Sequence, residues 1–192
     1  IRLALHHKQL PFKSIPWRMT EKNRIAFADT ERVPVLVDGE QTLLDSWKIL
    51  EYLDETQPEP AFLPGDPVAR ARLRGLADII ACDIHPLNNL AVLQFLGTEM
   101  GADKDAVNVT WYQHWIYEGF NALEALLAND SATGKFSHGD TPGLVDICIV
   151  PQVFNAQRYE CDLARYPTIM RIFETCMKLD AFDSAQPLKQ PD

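Results

Sequence analysis

Residues 33–55 have the pattern of a strand, a turn, a second strand and the start of a helix in one short run. Residues 33–37 are continuously apolar and rich in β-branched side chains, which is typical of a strand buried on both faces. Asp38 and Gly39 form a strong turn signal, and residues 41–44 follow as the partner strand. The run therefore predicts a β-hairpin whose exit leads directly into a helix.

The predicted helix begins at Asp45 and Ser46, two residues that favour the N-cap position. Trp47, Leu50 and Leu53 then recur at the spacing of one helical face. No Glu or Gln follows either cap candidate at the third position, so no capping box is predicted to occupy the first N–H groups. This start is either an ordinary N-cap or a site where the free N–H groups bind an anion.

Pro34 stands at the entrance of the first predicted strand, where its missing N–H would interrupt a ladder of hydrogen bonds. We therefore expect the strand to begin at this proline with a specially shaped entry. A cis peptide bond between Val33 and Pro34 would provide that shape. The alternative is an ordinary proline at the start of a strand.

Composition and charge exclude several classes of function. The chain has 192 residues, 46% of them hydrophobic, which is enough for a packed core. It contains no run of about 18 uncharged apolar residues that could span a membrane, and its start lacks the features of a signal peptide. The net charge of −9 repels phosphate backbones. We therefore expect a cytoplasmic protein that binds neither membranes nor nucleic acid.

The cysteines do not form a recognisable functional pattern. They fall in neither a CxxC motif nor a metal-ligand spacing, and most lie within apolar helical patterns. These cysteines are Cys82, Cys148, Cys161 and Cys176. We expect reduced, buried thiols, as in a cytosolic protein, and no metal site.

Residues 56–66 contain several residues that interrupt helices and strands: Pro58, Pro60, Pro64 and Gly65. We predict a domain boundary here, with an α/β domain over residues 1–58 and an all-helical domain over residues 66–192. In the first domain, residues 12–17 are predicted to form a strand and residues 20–28 a short helix. This alternation is that of a thioredoxin-like α/β layer.

The second domain is predicted to be a helical bundle. Asp66 and Pro67 supply an N-cap and a first-turn proline for a long helix that Pro86 ends or kinks. A second long helix is predicted over residues 104–128, where Gly119 would let another helix approach closely. Every element predicted after Asp66 is a helix.

Two segments resemble the glutathione-binding half of the soluble glutathione transferases: V-P-V-L-V-D-G from Val33 and D-S-W-K-I-L-E-Y-L-D from Asp45. The resemblance implies a thioredoxin-like fold with a cis Pro34. It also implies that the backbone of Val33 binds the cysteinyl part of glutathione. Asp45 and Ser46 would hold the γ-glutamyl end of the same molecule.

Further motifs resemble the zeta class of that family, the maleylacetoacetate and maleylpyruvate isomerases. They are C-D-I-H-P-L-N-N at residues 82–89, V-P-Q-V-F-N-A-Q-R-Y at residues 150–159 and the closing Q-P-D. The resemblance implies a homodimer that uses glutathione as a true cofactor. The glutathione thiolate would add to a conjugated cis double bond, and elimination after rotation would release the trans isomer.

The start of the chain continues this resemblance. Residues 1–9 have helical character without an N-cap, so we expect the chain to begin inside a helix. I-R-L-A-L resembles the end of the zeta-class signature S-S-C-x-W-R-V-R-I-A-L. The Ser or Cys that activates the thiol would then precede Ile1, and the first strand of the thioredoxin-like domain would be missing. No catalytic residue is assigned within the chain.

The same resemblance implies roles for three residues of the second domain. His85 would lie near the glycyl end of glutathione, and Asn89 would line the substrate cleft. Arg158 would bind a substrate carboxylate, since a guanidinium can hold one bidentately. From the residues alone, His85 could instead cap carbonyls freed by Pro86, and Arg158 could be a solvated arginine favoured by the helix dipole.

The run G-D-T-P-G-L-V-D at residues 139–146 resembles the buried N-capping motif of the family, a Ser or Thr followed three residues later by Asp. Gly143 stands at the cap position here, so Asp146 is predicted to satisfy the first N–H groups of the next helix alone. Pro151 is expected to kink that helix. A final helix is predicted over residues 167–179.

Two other functions fit the same features. A general glutathione transferase would conjugate glutathione irreversibly to an electrophile, and a binding or scaffolding protein would keep the fold without the chemistry. The isomerase is favoured, with a small acidic or electrophilic molecule as its second substrate.

Overall fold

The computed structural model describes residues 1–15 and 33–190, which fall into two compact units. The first unit combines Ile1–Phe62 with Leu179–Asp192, and the second is Leu63–Lys178. The division after Phe62 lies within the proline-rich segment. The last residues of the chain, which were expected in the helical domain, belong to the first unit because a C-terminal helix packs against the N-terminal helix.

The described elements follow one another in a simple order. They are α1 (Arg2–His7), β1 (Val35–Asp38), β2 (Gln41–Leu44), α2 (Ser46–Thr56), α3 (Pro67–Asp78), a π-helical segment π1 (Ile79–Ile84), α4 (Leu90–Thr98), a second π-helical segment π2 (Ala106–Gln113), α5 (His114–Ala128), α6 (Leu144–Arg158), a 3₁₀ turn (Leu163–Arg165), α7 (Pro167–Cys176), α8 (Asp180–Ser184) and a 3₁₀ turn (Pro187–Lys189). The predicted α/β part and helical part are both present.

The predicted hairpin is confirmed. β1 and β2 pair antiparallel, with Val35 opposite Leu44, and Gly39 turns the chain at a φ of +57°. The Val33–Pro34 peptide bond is cis, as predicted. The expectation of burial on both faces is wrong, because β1 pairs only with β2 among the described residues, and Val33 and Val37 are 59% and 46% exposed.

Two predicted elements fall wholly or partly outside the described residues. Residues 12–15 form no strand, and the last two residues of that predicted strand are not among the described ones. The helix predicted over residues 20–28 lies outside them entirely.

A buried lysine organises the end of the first unit. Lys8 Nζ lies 3.0 Å from Asp54 Oδ1, 2.5 Å from the carbonyl oxygen of Gln57 and 2.9 Å from that of Pro60. The same ammonium group is 4.0 Å from the centre of the Phe62 ring. Asp54 Oδ1 also accepts the N–H of Phe62 at 2.8 Å. One cation therefore ties α1 to the end of α2 and to the proline-rich segment.

The first long helix of the second unit is correctly predicted at its start. Asp66 Oδ1 accepts the N–H of Ala69 at 2.8 Å, and Pro67 is the first helical residue. The α-helix does not reach Pro86, because it changes to π1 after Asp78. The N–H of His85 bonds to the carbonyl of Ile80, five residues back, at 2.9 Å. The wider turn precedes a proline that has no N–H to continue an α-helical ladder.

The second long helix has the same mixed character, since π2 forms its first part and α5 its second. Gly119 lies in α5, where it is buried. A Cβ atom added there would come within 2.4 Å of side-chain atoms of Ile84. The predicted close approach at Gly119 is therefore confirmed, and the neighbouring element is π1.

The cap of α6 is confirmed and is larger than predicted. Gly143 is the N-cap residue, and its N–H donates to Asp146 Oδ2 at 2.8 Å. The N–H and hydroxyl of Ser137 donate to Asp146 Oδ1 at 3.0 and 2.8 Å. Burial raises the pKa of Asp146, and these donors oppose the shift. The carboxylate thus joins a loop to the helix as well as capping it. Pro151 lies inside α6, which continues to Arg158.

Replacing Asp146 with alanine is expected to lower the free energy of unfolding by about 1 to 3 kcal/mol, because it leaves the buried N–H groups of Ser137 and Gly143 unpaired. Denaturant unfolding measures the change. Asp140→Ala is the matched control, since this aspartate makes only exposed contacts: Oδ1 accepts the N–H of Lys135 at 3.2 Å, and Oδ2 lies 3.7 Å from Lys135 Nζ. The control should stay within about 0.5 kcal/mol of the parent. Equal midpoints for the two variants would contradict the assigned role of Asp146.

The thiols are free of disulfides, and three of them are at least partly buried. Burial raises the pKa of Cys161 to about 11, which makes it a poor nucleophile at neutral pH. Cys82 is exposed, so the expectation of burial is wrong at this position, which lies on the outer side of π1. Within residues 1–15 and 33–190, no cluster of His, Cys, Asp and Glu could hold a metal ion. No helix in the described parts of the chain is long and apolar enough to cross a membrane.

Candidate functional site

The start of α2 presents two exposed polar residues at the exit of the hairpin. Asp45 is the N-cap residue, and its Oδ1 accepts the N–H of Trp47 at 2.9 Å. Its φ of 78° is unusual for a residue other than glycine. One of the N–H groups expected to be free is therefore used by Asp45. The hydroxyl of Ser46 makes no hydrogen bond to any residue that the structure describes.

The register of the hairpin brings the predicted glutathione-binding residues to one end of it. Val35 lies opposite Leu44, so the chain before β1 and the chain after β2 extend side by side. Val33 and Pro34 precede β1, and their cis peptide bond lies outside the ladder. The local arrangement is an exposed backbone segment next to an exposed helix N-terminus.

The turn between π1 and α4 contains the next two predicted residues. His85 is exposed, and within the described part of the chain its side chain caps no carbonyl, so that interpretation finds no support. Asn89 is the N-cap of α4, and its Oδ1 accepts the N–H of Ala91 at 2.8 Å. The Nδ2 donors of Asn89 have no partner among the described residues.

The neighbour of Asn89 has a role that the sequence did not reveal. Asn88 is buried, and its Nδ2 donates to the carbonyl oxygen of Tyr112 in π2 at 3.0 Å. Trp111 Nε1 donates to the carbonyl oxygen of Leu87 at 2.9 Å. The turn is thus tied to π2 at two points. The sequence does not show which of the two adjacent asparagines is buried, because their spacing does not reveal which neighbours cover them.

Arg158 is the last residue of α6 and is exposed. Its Cζ lies 6.0 Å from the centre of the Tyr159 ring. That ring stacks on Tyr112, with centroids 3.5 Å apart and an interplanar angle of 10°. Arg158 forms no ion pair with any described carboxylate. Among the residues that the structure describes, no carboxylate therefore neutralises its guanidinium.

The two units thus carry different parts of the predicted site. The first unit holds Val33, Pro34, Asp45 and Ser46 at one end of the hairpin. The second unit holds His85, Asn89 and Arg158, on the turn before α4 and at the end of α6.

Comparison with known proteins defines the class to which these features belong. Residues 1–56 match the family model for the glutathione S-transferase N-terminal domain. Over 197 residues the chain is 43% identical to a maleylpyruvate isomerase of Ralstonia sp., covering 100% of this chain and 92% of that protein. It is 41% identical over 199 residues to a probable maleylacetoacetate isomerase of Vibrio cholerae, covering 100% of this chain and 91% of that protein.

Solved structures agree with the sequence matches. The holo structure of a maleylpyruvate isomerase, described as a bacterial zeta-class glutathione S-transferase, superposes with a TM-score of 0.94 at 43% identity, over 100% of this chain and 92% of that one. A maleylacetoacetate isomerase of Methylobacterium extorquens, solved with malonate and glutathione, gives a TM-score of 0.91 at 34% identity, over 99% of this chain and 91% of that one. The chain belongs to the zeta class of the glutathione S-transferase family. The predicted resemblance and fold class are confirmed.

Proposed function

We propose that this protein is a glutathione-dependent cis-trans isomerase of maleyl-type diacids. The observation that carries the proposal is the similarity, over the full length of the chain, to proteins named maleylpyruvate and maleylacetoacetate isomerase. The exposed Arg158, which has no carboxylate partner among the described residues, fits an acidic substrate.

The residues at the end of the hairpin fit glutathione. One carboxylate oxygen of Asp45 accepts the N–H of Trp47, which leaves Oδ2 to accept from the ammonium group of the γ-glutamyl part. The Ser46 hydroxyl and the N-terminus of α2 suit its carboxylate, because helix N-termini favour anions. The backbone of Val33, next to the cis Pro34, can bond to the cysteinyl part. We propose that this domain, residues 1–58, is the glutathione-binding domain.

Bound glutathione would supply the thiolate that adds reversibly to the conjugated double bond. The residues of the second unit then bind and orient the substrate and the glycyl end of glutathione. Arg158 holds one carboxylate of the substrate bidentately, and Nδ2 of Asn89, which has no partner among the described residues, donates to the substrate. His85 binds the glycyl end of glutathione. The substrate-binding domain in this proposal is the helical domain predicted over residues 66–192, without residues 179–192, which belong to the first unit. No residue of the chain is assigned to activation of the thiol.

The same proposal includes the cellular location, the oligomeric state and the partners of the protein. The protein acts in the cytoplasm as a homodimer, on a small acidic or electrophilic molecule and without nucleic acid or membrane partners. The net charge of −9 supports the exclusion of nucleic acid. Light scattering of the purified protein would measure the oligomeric state directly.

Product analysis tests the proposed reaction. The purified protein is incubated with glutathione and a maleyl compound, and nuclear magnetic resonance follows both the double bond and the amount of free glutathione. We expect the trans isomer to form with no net loss of glutathione. Conversion of a chlorinated aromatic with consumption of glutathione, but no isomerisation, would replace the proposal with a general transferase. Glutathione binding without either reaction would indicate a binding protein.

Replacing Ser46 with alanine is expected to weaken glutathione binding roughly tenfold, because a hydrogen bond to a charged group is lost. Stability should stay within about 1 kcal/mol of the parent, since Asp45 remains as the cap. Titration calorimetry measures the affinity. Thr56→Ala removes a hydroxyl from the other end of α2 and should leave the affinity unchanged. Unchanged glutathione affinity in Ser46→Ala would count against the proposed binding site.

A further inference from the structure

A stacked tyrosine pair in the second unit joins the end of α6 to π2. The rings of Tyr112 and Tyr159 are nearly parallel, at 10°, with centroids 3.5 Å apart. Tyr112 is buried within π2. Tyr159 is half-buried and directly follows Arg158 at the end of α6. The position of the Tyr159 ring is therefore set by contact with a buried residue of another helix.

Polar contacts hold both members of the pair. Asn88 Nδ2 donates to the carbonyl oxygen of Tyr112 at 3.0 Å, and Gln113 Nε2 donates to the carbonyl oxygen of Tyr159 at 2.7 Å. Both amide side chains reach backbone atoms on a different element. These two hydrogen bonds connect π2 to the turn that carries His85 on one side and to the backbone at Tyr159 on the other.

Arg158 is the charged group next to this pair. Its Cζ is 6.0 Å from the centre of the Tyr159 ring, within the range of a cation–π contact. Burial raises the pKa of Tyr112 to about 12, and the charge of Arg158 acts in the opposite direction. The phenol therefore stays protonated at neutral pH. Arg158 has no carboxylate partner among the described residues, so the Tyr159 ring is the neighbour that can orient its guanidinium.

We propose that Tyr112, through its stack on Tyr159, is a positioning residue for Arg158, holding the guanidinium where it receives a carboxylate of the acidic substrate. This inference rests on the proposed function for the role of Arg158 itself. The ring of Tyr112 carries the effect, because its hydroxyl bonds to no residue in the described parts of the chain. The location within a π-helical segment agrees with this role, since such turns recur at functional sites and alter the direction of their side chains.

The test compares five substitutions in the purified protein, one of which, Arg158→Met, removes the guanidinium itself. Tyr112→Phe keeps the ring, and Tyr112→Leu removes the stack. Tyr159→Leu removes the stack from the other side, at a residue that is less buried. Tyr117→Leu is the matched control, because the hydroxyl of this tyrosine of α5 accepts the N–H of Asp162 and its ring stacks on neither member of the pair.

Two measurements are made on each variant. Calorimetry with malonate, a dicarboxylate that cannot be isomerised, is done in saturating glutathione, which fills the proposed carboxylate site at the start of α2. The Kd then reports on the anion site at Arg158. We expect this Kd to rise about tenfold in Tyr112→Leu and Tyr159→Leu, because misplacement of a binding group costs one or two orders of magnitude. Tyr112→Phe and Tyr117→Leu should match the parent. Kinetics with a maleyl diacid should show the loss mainly in KM, and a neutral electrophile should show none.

The outcomes separate this inference from the proposed function. Equal losses in Tyr112→Leu and Tyr117→Leu, or in Tyr112→Phe and Tyr112→Leu, would overturn the positioning role. Failure of the parent to bind malonate, or unchanged malonate binding in Arg158→Met, would overturn the role of Arg158 and the positioning role with it. A third outcome is the expected pattern of malonate binding in a protein that isomerises no maleyl compound. That result would support the positioning role and contradict the proposed reaction.

Discussion

Replacing Lys8 with methionine is expected to lower the free energy of unfolding by about 3 to 5 kcal/mol, the usual cost of removing one partner of a buried ion pair. The lysine side chain is fully buried, and that of Asp54 is 17% exposed. Loss of the lysine ammonium group leaves the Asp54 carboxylate and the carbonyl oxygens of Gln57 and Pro60 without the cation that they share. Methionine has a similar length, so the effect is mainly the loss of polar contacts rather than a cavity.

Hydrogen exchange and denaturant unfolding together measure this effect. The N–H of Phe62, which donates to Asp54, reports on the affected region and should lose protection. Lys13→Met is the matched control, because Lys13 is exposed and makes no hydrogen bond or ion pair with another described residue. A loss below about 1 kcal/mol in Lys8→Met would mean that the ion pair is worth no more than one on the surface.

Replacing Arg158 with methionine is expected to lower kcat/KM for a maleyl diacid about ten- to a hundredfold, since a charge-assisted hydrogen bond contributes roughly 1.5 to 3 kcal/mol. Glutathione affinity should hardly change, because the proposed glutathione residues of the hairpin lie in the other unit. The loss should shrink for a neutral electrophile, which offers nothing for the guanidinium to bind.

Steady-state kinetics with the two kinds of substrate provide the measurement. Arg165→Met is the matched control: this exposed arginine also lies beside an aromatic ring, 5.2 Å from the centre of Tyr117, but on the 3₁₀ turn after α6. Its kcat/KM should equal that of the parent for both substrates. Equal losses for charged and neutral substrates in Arg158→Met would assign Arg158 to the support of α6, and the general transferase would then replace the isomerase.

The features that the sequence predicted correctly depend on residues close to one another in the chain. The hairpin follows from a turn signal between two apolar runs, and Asp66 caps the helix that begins at the next residue. Asp146 bonds to the N–H of Gly143, three residues before it. Such interactions lie within one turn of the backbone, so the local order of residue types is enough to specify them.

The sequence was enough to propose which residues form the site, but not which neighbours cover and orient them. Asp45, Ser46 and Arg158 are exposed, because polar side chains at helix ends remain in water. Asn88 was missed, since it differs from Asn89 only in what covers it. The tyrosine stack was missed as well, because its two rings are 47 positions apart in sequence and meet only when the helices pack.

The sequence by itself determined the hairpin, the caps and the helical character of the second half, all of which arise from short-range hydrogen bonds and hydrophobic periodicity. Only the tertiary structure decided that α-helix gives way to π1 and π2, that residues 179–192 join the first unit and that Lys8 is buried. The physical reason is that burial and helix register depend on the surfaces that a segment meets. Those surfaces come from distant parts of the chain, which a local pattern does not specify.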